Sequence, residues 1–391
     1  MLNLKTPPPL SLYVHIPWCV KKCPYCDFNS HPLRDTIDEN RYLEALLRDL
    51  EQGLERIWGR RVVSVFIGGG TPSTMSPDFY DQLLSALRAR LMLNADAEIT
   101  LEANPGTVDM ERFQGFRAAG INRLSIGVQS FNDTQLQQLG RIHSGNEAQA
   151  ALEAARAAGF DNINLDLMYG LPGQTRDDAI QDIKRALQLA PEHLSYYQLT
   201  IEPNTLFASQ PPALPDDDER WDMQVQAQQL IGEQDYHQYE VSAYAKPGRQ
   251  CMHNRNYWEF GDYLGIGAGA HSKLTDVNAQ SVVRLAREKH PRDYMTKALE
   301  ASPLIEEKTL SRGDLPLEFM MNALRLSEGF STQMFEERIG LPITVAGDAL
   351  QQAEQKELIQ WDIHTIKPTE RGFRFLDDLV AMFLPDQGRN C

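Results

Sequence analysis

Tyr13-Val14-His15-Ile16-Pro17-Trp18-Cys19-Val20-Lys21-Lys22-Cys23-Pro24-Tyr25-Cys26-Asp27-Phe28 is the stretch on which the fold turns. An apolar run at residues 12–16 reads as a strand and passes directly into three cysteines, spaced Cys-x-x-x-Cys-x-x-Cys. Iron–sulfur clusters need thiolates at short spacing on a loop that wraps them. Most electron-transfer clusters use four cysteines, but here only three are local and Cys251 lies far downstream. Three thiolates leave one iron with an open position, and an open position on a metal is where substrate or cofactor binds. A structural zinc loop is the rival reading. It favours paired Cys-x-x-Cys knuckles with a second pair or histidines downstream, and the sequence holds no second pair.

Outward from this stretch, short apolar runs alternate with amphipathic ones. Strands are predicted at 12–16, 62–67, 98–102, 123–128, 162–167 and 193–199, and helices at 39–56, 78–91, 110–119, 146–158 and 176–189. In the first helix Tyr42, Leu46, Leu50 and Leu54 recur on one face. Strands joined by single helices imply a parallel sheet. Six such units predict a partial (β/α)6 TIM-like barrel, open on one side; an open doubly wound sheet is the alternative. In a barrel the chemistry sits where strands end. The cysteines, Gly68-Gly69-Gly70-Thr71-Pro72, Glu102, Gln129 and Asp166 all fall at or near predicted strand ends.

Residues 202–218 dissolve into Pro and Asp, and helix resumes over 219–234. A strand-like stretch at 237–245 leads to Cys251-Met252-His253-Asn254-Arg255-Asn256-Tyr257-Trp258, then to a glycine-rich run at 265–269. Residues 1–309 read as the barrel with its cluster loop and residues 310–391 as a smaller α+β, winged-helix-like domain. In the latter, helices are predicted at 344–355 and 370–383 and a strand at 363–368.

Across 391 residues the formal charge is −16, with 42% apolar and 24% charged residues. That is ordinary for a globular protein and argues against non-specific nucleic-acid binding, which needs a basic surface. No segment approaches the roughly 20 apolar residues of a membrane span. Residues 1–10 lack the apolar core of a signal peptide. A cytoplasmic location is expected, and five cysteines, three of them within eight positions, read as metal binding, not as a disulfide framework.

The segments Tyr13–Cys19 and Cys23–Phe28 resemble the radical S-adenosylmethionine (SAM) superfamily. In particular they resemble the branch that contains oxygen-independent coproporphyrinogen III dehydrogenases and HemW-type haem chaperones, and the likeness extends over nearly the whole chain. It implies a [4Fe–4S] cluster on Cys19, Cys23 and Cys26, with SAM chelated at the open iron. It implies cofactor contacts from the backbone of Gly69, Gly70 and Thr71, from Glu102, Gln129 and Asp166, and from Arg141 as partner of the cofactor carboxylate. Tyr13 is implied to hold the cofactor near the cluster. No catalytic residue is assigned.

Within that branch three features favour a haem carrier over a dehydrogenase. Phe28 stands where the dehydrogenases usually have a fourth cysteine; few residues precede the first strand; and His253-Asn254-Arg255-Asn256-Tyr257-Trp258 matches the H-N-x-x-Y-W motif associated with haem binding in the HemW branch. His253 is then the candidate axial ligand, Tyr257 and Trp258 cover a porphyrin face, and Lys246, Arg249 and Arg255 pair with propionates. His271 and Cys251 compete as ligands. Haem is thus the expected cargo, and haem-acceptor proteins such as membrane-bound respiratory enzymes the expected partners, met by peripheral contact at the inner face of the membrane. A homodimer is allowed for.

Overall fold

The computed structural model describes residues 2–384. Six strands run parallel in chain order: β1 (Leu10–Ile16), β2 (Arg61–Gly69), β3 (Met92–Ala103), β4 (Arg123–Gln129), β5 (Ile163–Tyr169) and β6 (His193–Gln198). Both faces of a parallel sheet are covered, and Val65, Ile67, Leu101, Leu124, Ile126 and Leu165 are accordingly inaccessible to solvent. The returning helices are α1 (Glu39–Gly53), α2 (Pro77–Arg90), α3 (Met110–Ala119), α4 (Gly145–Ala157) and α5 (Arg176–Gln188). They form one layer, with α1 on α2, α2 on α3 and α3 on α4. In α1, Asp38 caps the first turn by accepting from the Arg41 N–H, and Tyr42, Leu46 and Leu50 make the buried stripe. A doubly wound sheet reverses its strand order at a switch point; these six do not. β1 and β6 do not pair, so the barrel is partial and open on one side, as expected.

The sheet is wider than the sequence indicated. The run at 265–269 carries no clear strand signal, because glycines interrupt its apolar pattern. Yet Asp262–Ile266 is a fully buried strand that adds parallel to the outer edge of β1. His271–Asp276, Ser281–Arg287 and Leu304–Thr309 continue antiparallel beyond it. Ala243–Ala245 and His237–Glu240 extend the sheet past β6, for twelve strands in all. The helix Met252–Trp258 crosses β1, β2 and Asp262–Ile266, with His253 packed on Tyr13 and Phe66.

Toward the C-terminus the helices Leu315–Ala323, Thr332–Ile339 and Gly347–Gln355 accompany a three-stranded antiparallel sheet of Phe330–Ser331, Ile359–Trp361 and Thr365–Pro368. The first two helices were not foreseen. Leu315–Ala323 is apolar on most sides and opens with Pro316, so it lacks the amphipathic period that marks a surface helix. Residues 385–391 of the expected C-terminal domain lie outside the described residues. The core here joins Phe319, Phe335, Leu350 and Ile366 to Leu4, Phe260 and Val282. The N-terminal segment is held against it: the Asn3 N–H donates to the Gly340 carbonyl and the Leu4 N–H to Gln280 Oε1, each at 2.9 Å. Among the described residues no helix is long and apolar enough to cross a membrane.

One buried ion pair ties the sheet extension to the barrel. Arg287 Nε lies 2.8 Å from both Asp49 oxygens, and Asp49 Oδ2 also accepts from the Gly267 N–H (3.1 Å) and the Tyr294 hydroxyl (2.9 Å). Removing one member of such a pair strands the other charge in the interior, at a cost of about 3–5 kcal/mol. The partly exposed pair Arg56–Glu307 is worth about 1 kcal/mol or less. Asp49→Ala is therefore expected to lower unfolding free energy in urea several-fold more than Arg56→Ala; equal effects would remove Asp49 from its place as a structural node.

Candidate functional site

The short strand Trp18–Cys19 pairs with His31–Pro32 and so closes the cysteine stretch into a loop. The loop docks on the glycine turn that ends β2. The Gly70 N–H donates to the Ile16 carbonyl and the Thr71 N–H to the Trp18 carbonyl, both at 2.7 Å. A Cβ on Gly70 would lie 2.5 Å from the Trp18 carbonyl oxygen. Gly69, at φ +117°, would bring a Cβ to 2.6 Å from the His15 ring. These glycines are therefore demanded by the docking of loop on turn before any ligand is considered.

Cys19, Cys23 and Cys26 face one cavity of about 560 Å³. Burial raises the thiols of Cys19 and Cys26 above their usual range; the Thr71 hydroxyl opposes this at Cys19, and the Phe28 backbone does so at Cys26. Among the described residues no three His, Cys, Asp or Glu side chains converge as on a single metal ion. Arg141 stands over the thiols. Its Nη1 points at Cys23 Sγ (3.8 Å), its Nη2 donates to the Gly127 carbonyl (2.6 Å), and its Nε is buried with no partner among the described residues. An unpartnered guanidinium N–H beside three thiols fits a guest that carries a carboxylate.

The opposite wall is acidic. Glu102 ends β3 and accepts from the Gly69 N–H (3.1 Å). Burial, and then the neighbouring Asp166 charge, push its carboxyl up to about 8. Asp166 of β5 is raised by burial too, although Asn164 Nδ2 (2.8 Å) and the Ser125 hydroxyl (3.1 Å) donate to it. Gln129 holds φ +69° at the end of β4, a left-handed backbone uncommon outside glycine, and its Oε1 accepts from the Tyr197 hydroxyl (2.8 Å).

Of the sequence-predicted residues, Gly69, Gly70, Thr71, Glu102, Gln129, Arg141 and Asp166 line the same cavity as the three cysteines. Tyr13 does not. Its ring packs on Phe66 and its hydroxyl donates to His15 Nδ1 (2.9 Å), because His15 Nε2 is already committed to the Asn29 carbonyl. Sequence reasoning passed over Ser125, Gly127, Ser195 and Tyr197, which also line the wall. Their signal was the two-residue alternation that puts 125, 127 and 129, and 195 and 197, on one face of their strands.

The His-Asn-x-x-Tyr-Trp segment is divided. Asn254 and Trp258 line the cavity; His253 and Tyr257 do not. His253 is buried between Tyr13 and Phe66, its Nδ1 is 3.2 Å from the Ser64 hydroxyl, and burial lowers its imidazole to about 3. In the ligand-free chain the candidate axial ligand is thus enclosed, facing Ser64 and two aromatic rings. Tyr257 turns to Tyr263. Trp258 offers less than a free face, since Arg325 stacks on its ring at 4.3 Å. The cations expected to meet propionates are engaged elsewhere: Lys246 with the Ala190 carbonyl, Arg249 with Asp161 and Arg255 with Glu259. Cys251 is inaccessible, its thiol raised to about 12 and donating to Glu98 (3.4 Å). His271 begins an outer strand away from this cavity.

The family profile of the radical SAM superfamily matches residues 13–186, and that of the HemN C-terminal domain matches residues 310–375. The chain is 49% identical, over 97% of its length and 99% of the relative's, to the protein named heme chaperone HemW of Haemophilus influenzae. It is 48% identical, with the same coverages, to the protein of that name from Escherichia coli. The chain belongs to the HemW family. The HemW likeness expected from the cysteine loop and the His-Asn-x-x-Tyr-Trp segment is thereby borne out. A solved structure, coproporphyrinogen III oxidase (HemN) of E. coli, a radical SAM enzyme, superposes with a TM-score of 0.82 at 26% identity, covering 96% of this chain and 90% of that one. Phe28, 59% exposed, is among the residues that line the cavity.

The raised carboxyl of Glu102 has a signed consequence. With a folded-state value of about 8 and an ordinary value of 4.5, the folded chain keeps a proton that the unfolded chain has lost in between. Stability from this group is full below the lower value and falls as pH rises toward the upper one. Thermal melts of ligand-free protein at about pH 5 and about pH 8 are expected to show wild type losing more stability than Glu102→Gln. Identical pH slopes would mean that Glu102 ionises normally.

Proposed function

We propose that the chain is a haem chaperone that carries a [4Fe–4S] cluster on Cys19, Cys23 and Cys26 and binds SAM beside it. The observation that bears most weight is the shared cavity. It gathers the three cysteines, the glycine turn, Arg141 and two raised carboxylates, in a chain 49% identical to a protein named heme chaperone HemW. A volume of about 560 Å³ suits a cofactor-sized guest. Three thiolates at short spacing on one loop suit a cluster with an iron left open.

The residues divide the work by charge. Arg141 offers its free N–H to the cofactor carboxylate. Glu102 is protonated near neutral pH when no cation is near; a cationic amino group beside it favours the charged form, so Glu102 gives up its proton as the group arrives. Asp166, held by Ser125 and Asn164, and Gln129, held by Tyr197, orient the remainder. The Gly69–Thr71 turn admits the guest because it has almost no side chain to exclude it. A cluster held by Cys19, Cys23 and Cys26 would, once reduced, supply one-electron chemistry to the SAM sulfonium beside it. Haem is the cargo, with Trp258 at the cavity wall as its contact, while His253 and Tyr257 support the helix behind it. Residues 1–309 form the barrel unit and residues from 310 the smaller domain. The recipients are haem-acceptor proteins, respiratory enzymes of the membrane among them, met from the cytoplasmic side.

The second reading, a coproporphyrinogen III dehydrogenase, draws on the close superposition with HemN. One paired measurement separates the two. Cluster-loaded protein is titrated anaerobically with haem, and separately incubated with coproporphyrinogen III, SAM and a reductant. The expected result is a saturable Soret shift, kept in His253→Ala, with no protoporphyrinogen formed. Conversion of the porphyrinogen by the pure protein overturns the chaperone function. Loss of the Soret shift in a folded His253→Ala restores that histidine as the ligand.

A further inference from the structure

One part of the cavity wall is backed by a distant part of the chain. Trp258 and Glu240 line it, and Arg325 stands behind them. Arg325 stacks on the Trp258 ring at 4.3 Å, and its Nη2 donates to Glu240 Oε2 (3.1 Å). Glu240 is itself fixed, its Oε1 accepting from the Ser242 N–H (3.1 Å) and hydroxyl (3.0 Å). The backbone repeats the connection, with a bridge between Glu240 and Leu326 and a bond from the Ser327 N–H to the Tyr239 carbonyl.

Two donors in this contact have no acceptor among the described residues: the Trp258 indole N–H and the Arg325 Nε–H, both buried. Buried donors almost always find a partner, and leaving one unmade is costly. Here two occur on side chains stacked against each other at the edge of a cavity. What is missing is a group that only accepts. The seated Glu240 shows that a carboxylate is compatible with Arg325. With Nη2 on Glu240, the buried donors of this contact left for a guest are Arg325 Nε and Trp258 Nε1.

We propose that this part of the cavity is a carboxylate-binding subsite, formed by the Trp258 and Arg325 donors, that takes a propionate of the haem cargo. The inference rests on the haem reading above and deepens it. A cargo seated here also touches Arg325, within the region matched by the HemN C-terminal domain profile, so occupancy of the barrel is felt directly by the C-terminal part of the chain. The carboxylate of SAM is the other source of the same chemistry, and the test separates the two.

Full-length, cluster-loaded protein is titrated with haem, with haem dimethyl ester, which lacks free carboxylates, and with SAM. Trp258→Phe keeps the ring and the stack but removes the N–H; Arg325→Lys keeps a cation beside Glu240 but removes Nε. Wild type is expected to bind haem about tenfold tighter than the ester, the scale of a lost hydrogen bond to a charged group. Each variant is expected to lose that preference by weakening haem alone, with ester and SAM affinities unchanged. Equal weakening of haem and ester, or no weakening of either, overturns the subsite. So does a variant that weakens SAM but not haem. If wild type binds haem and ester equally well, the subsite falls and the cargo function stands; if it binds neither, the cargo function itself falls.

Discussion

Glu102 and Asp166 face a common cavity, and a pair of carboxylates withdrawn from water is expensive to keep charged. Much of the surrounding structure answers to that constraint. Asp166 is held by Asn164 and Ser125 from the same strand and its neighbour. Glu102 is held by the N–H of Gly69, whose left-handed backbone leaves space for the His15 ring. His15 passes the connection to the Asn29 carbonyl, and Asn29 Nδ2 in turn donates to the carbonyls of Ala268 and Lys289. The acidic wall, the glycine turn and the end of the cysteine loop thus form one chain of contacts.

A second polar chain runs beneath the first. His193 Nδ1 donates to Asn164 Oδ1 (2.6 Å), which leaves its Nε2 to accept from the Tyr239 hydroxyl (2.9 Å). Tyr239 accepts from the Cys251 N–H, and Cys251 and His253 both lean on Glu98. These bonds set the helix Met252–Trp258 at a fixed height in the barrel. They explain why a segment that reads as ligand-bearing offers only alternate members to the cavity. On a short helix, Asn254 and Trp258 are four apart and share a face, while His253 lies on another.

The barrel itself was legible because its strands are nearly continuous apolar runs and its helices carry clear stripes such as Tyr42, Leu46 and Leu50. Glu102 and the glycines were legible because they fall where strands end, and Asp166 because it is a charge inside an apolar strand. What escaped has physical causes. Asp262–Ile266 contains a glycine and borders a glycine-rich turn, so its buried pairing with β1 leaves no periodic trace. Tyr13 sits beside the cysteines in sequence, but a strand alternates its side chains, and the hydroxyl is claimed by a histidine two residues on. The burial of His253 depends on Ser64 and Phe66 from a distant strand, which no local pattern reports.

The N-terminal segment has a consequence for how the molecule is made. Leu4 belongs to the core of the C-terminal helices, and Asn3 is hydrogen-bonded to Gly340. Part of that seat, Gln280, Phe260 and Val282, belongs to the sheet extension and its approach, and the rest to the helices beyond residue 310, so the segment is fully seated only when both have formed. Residues 3 and 4 thus clasp the sheet extension to the C-terminal helices.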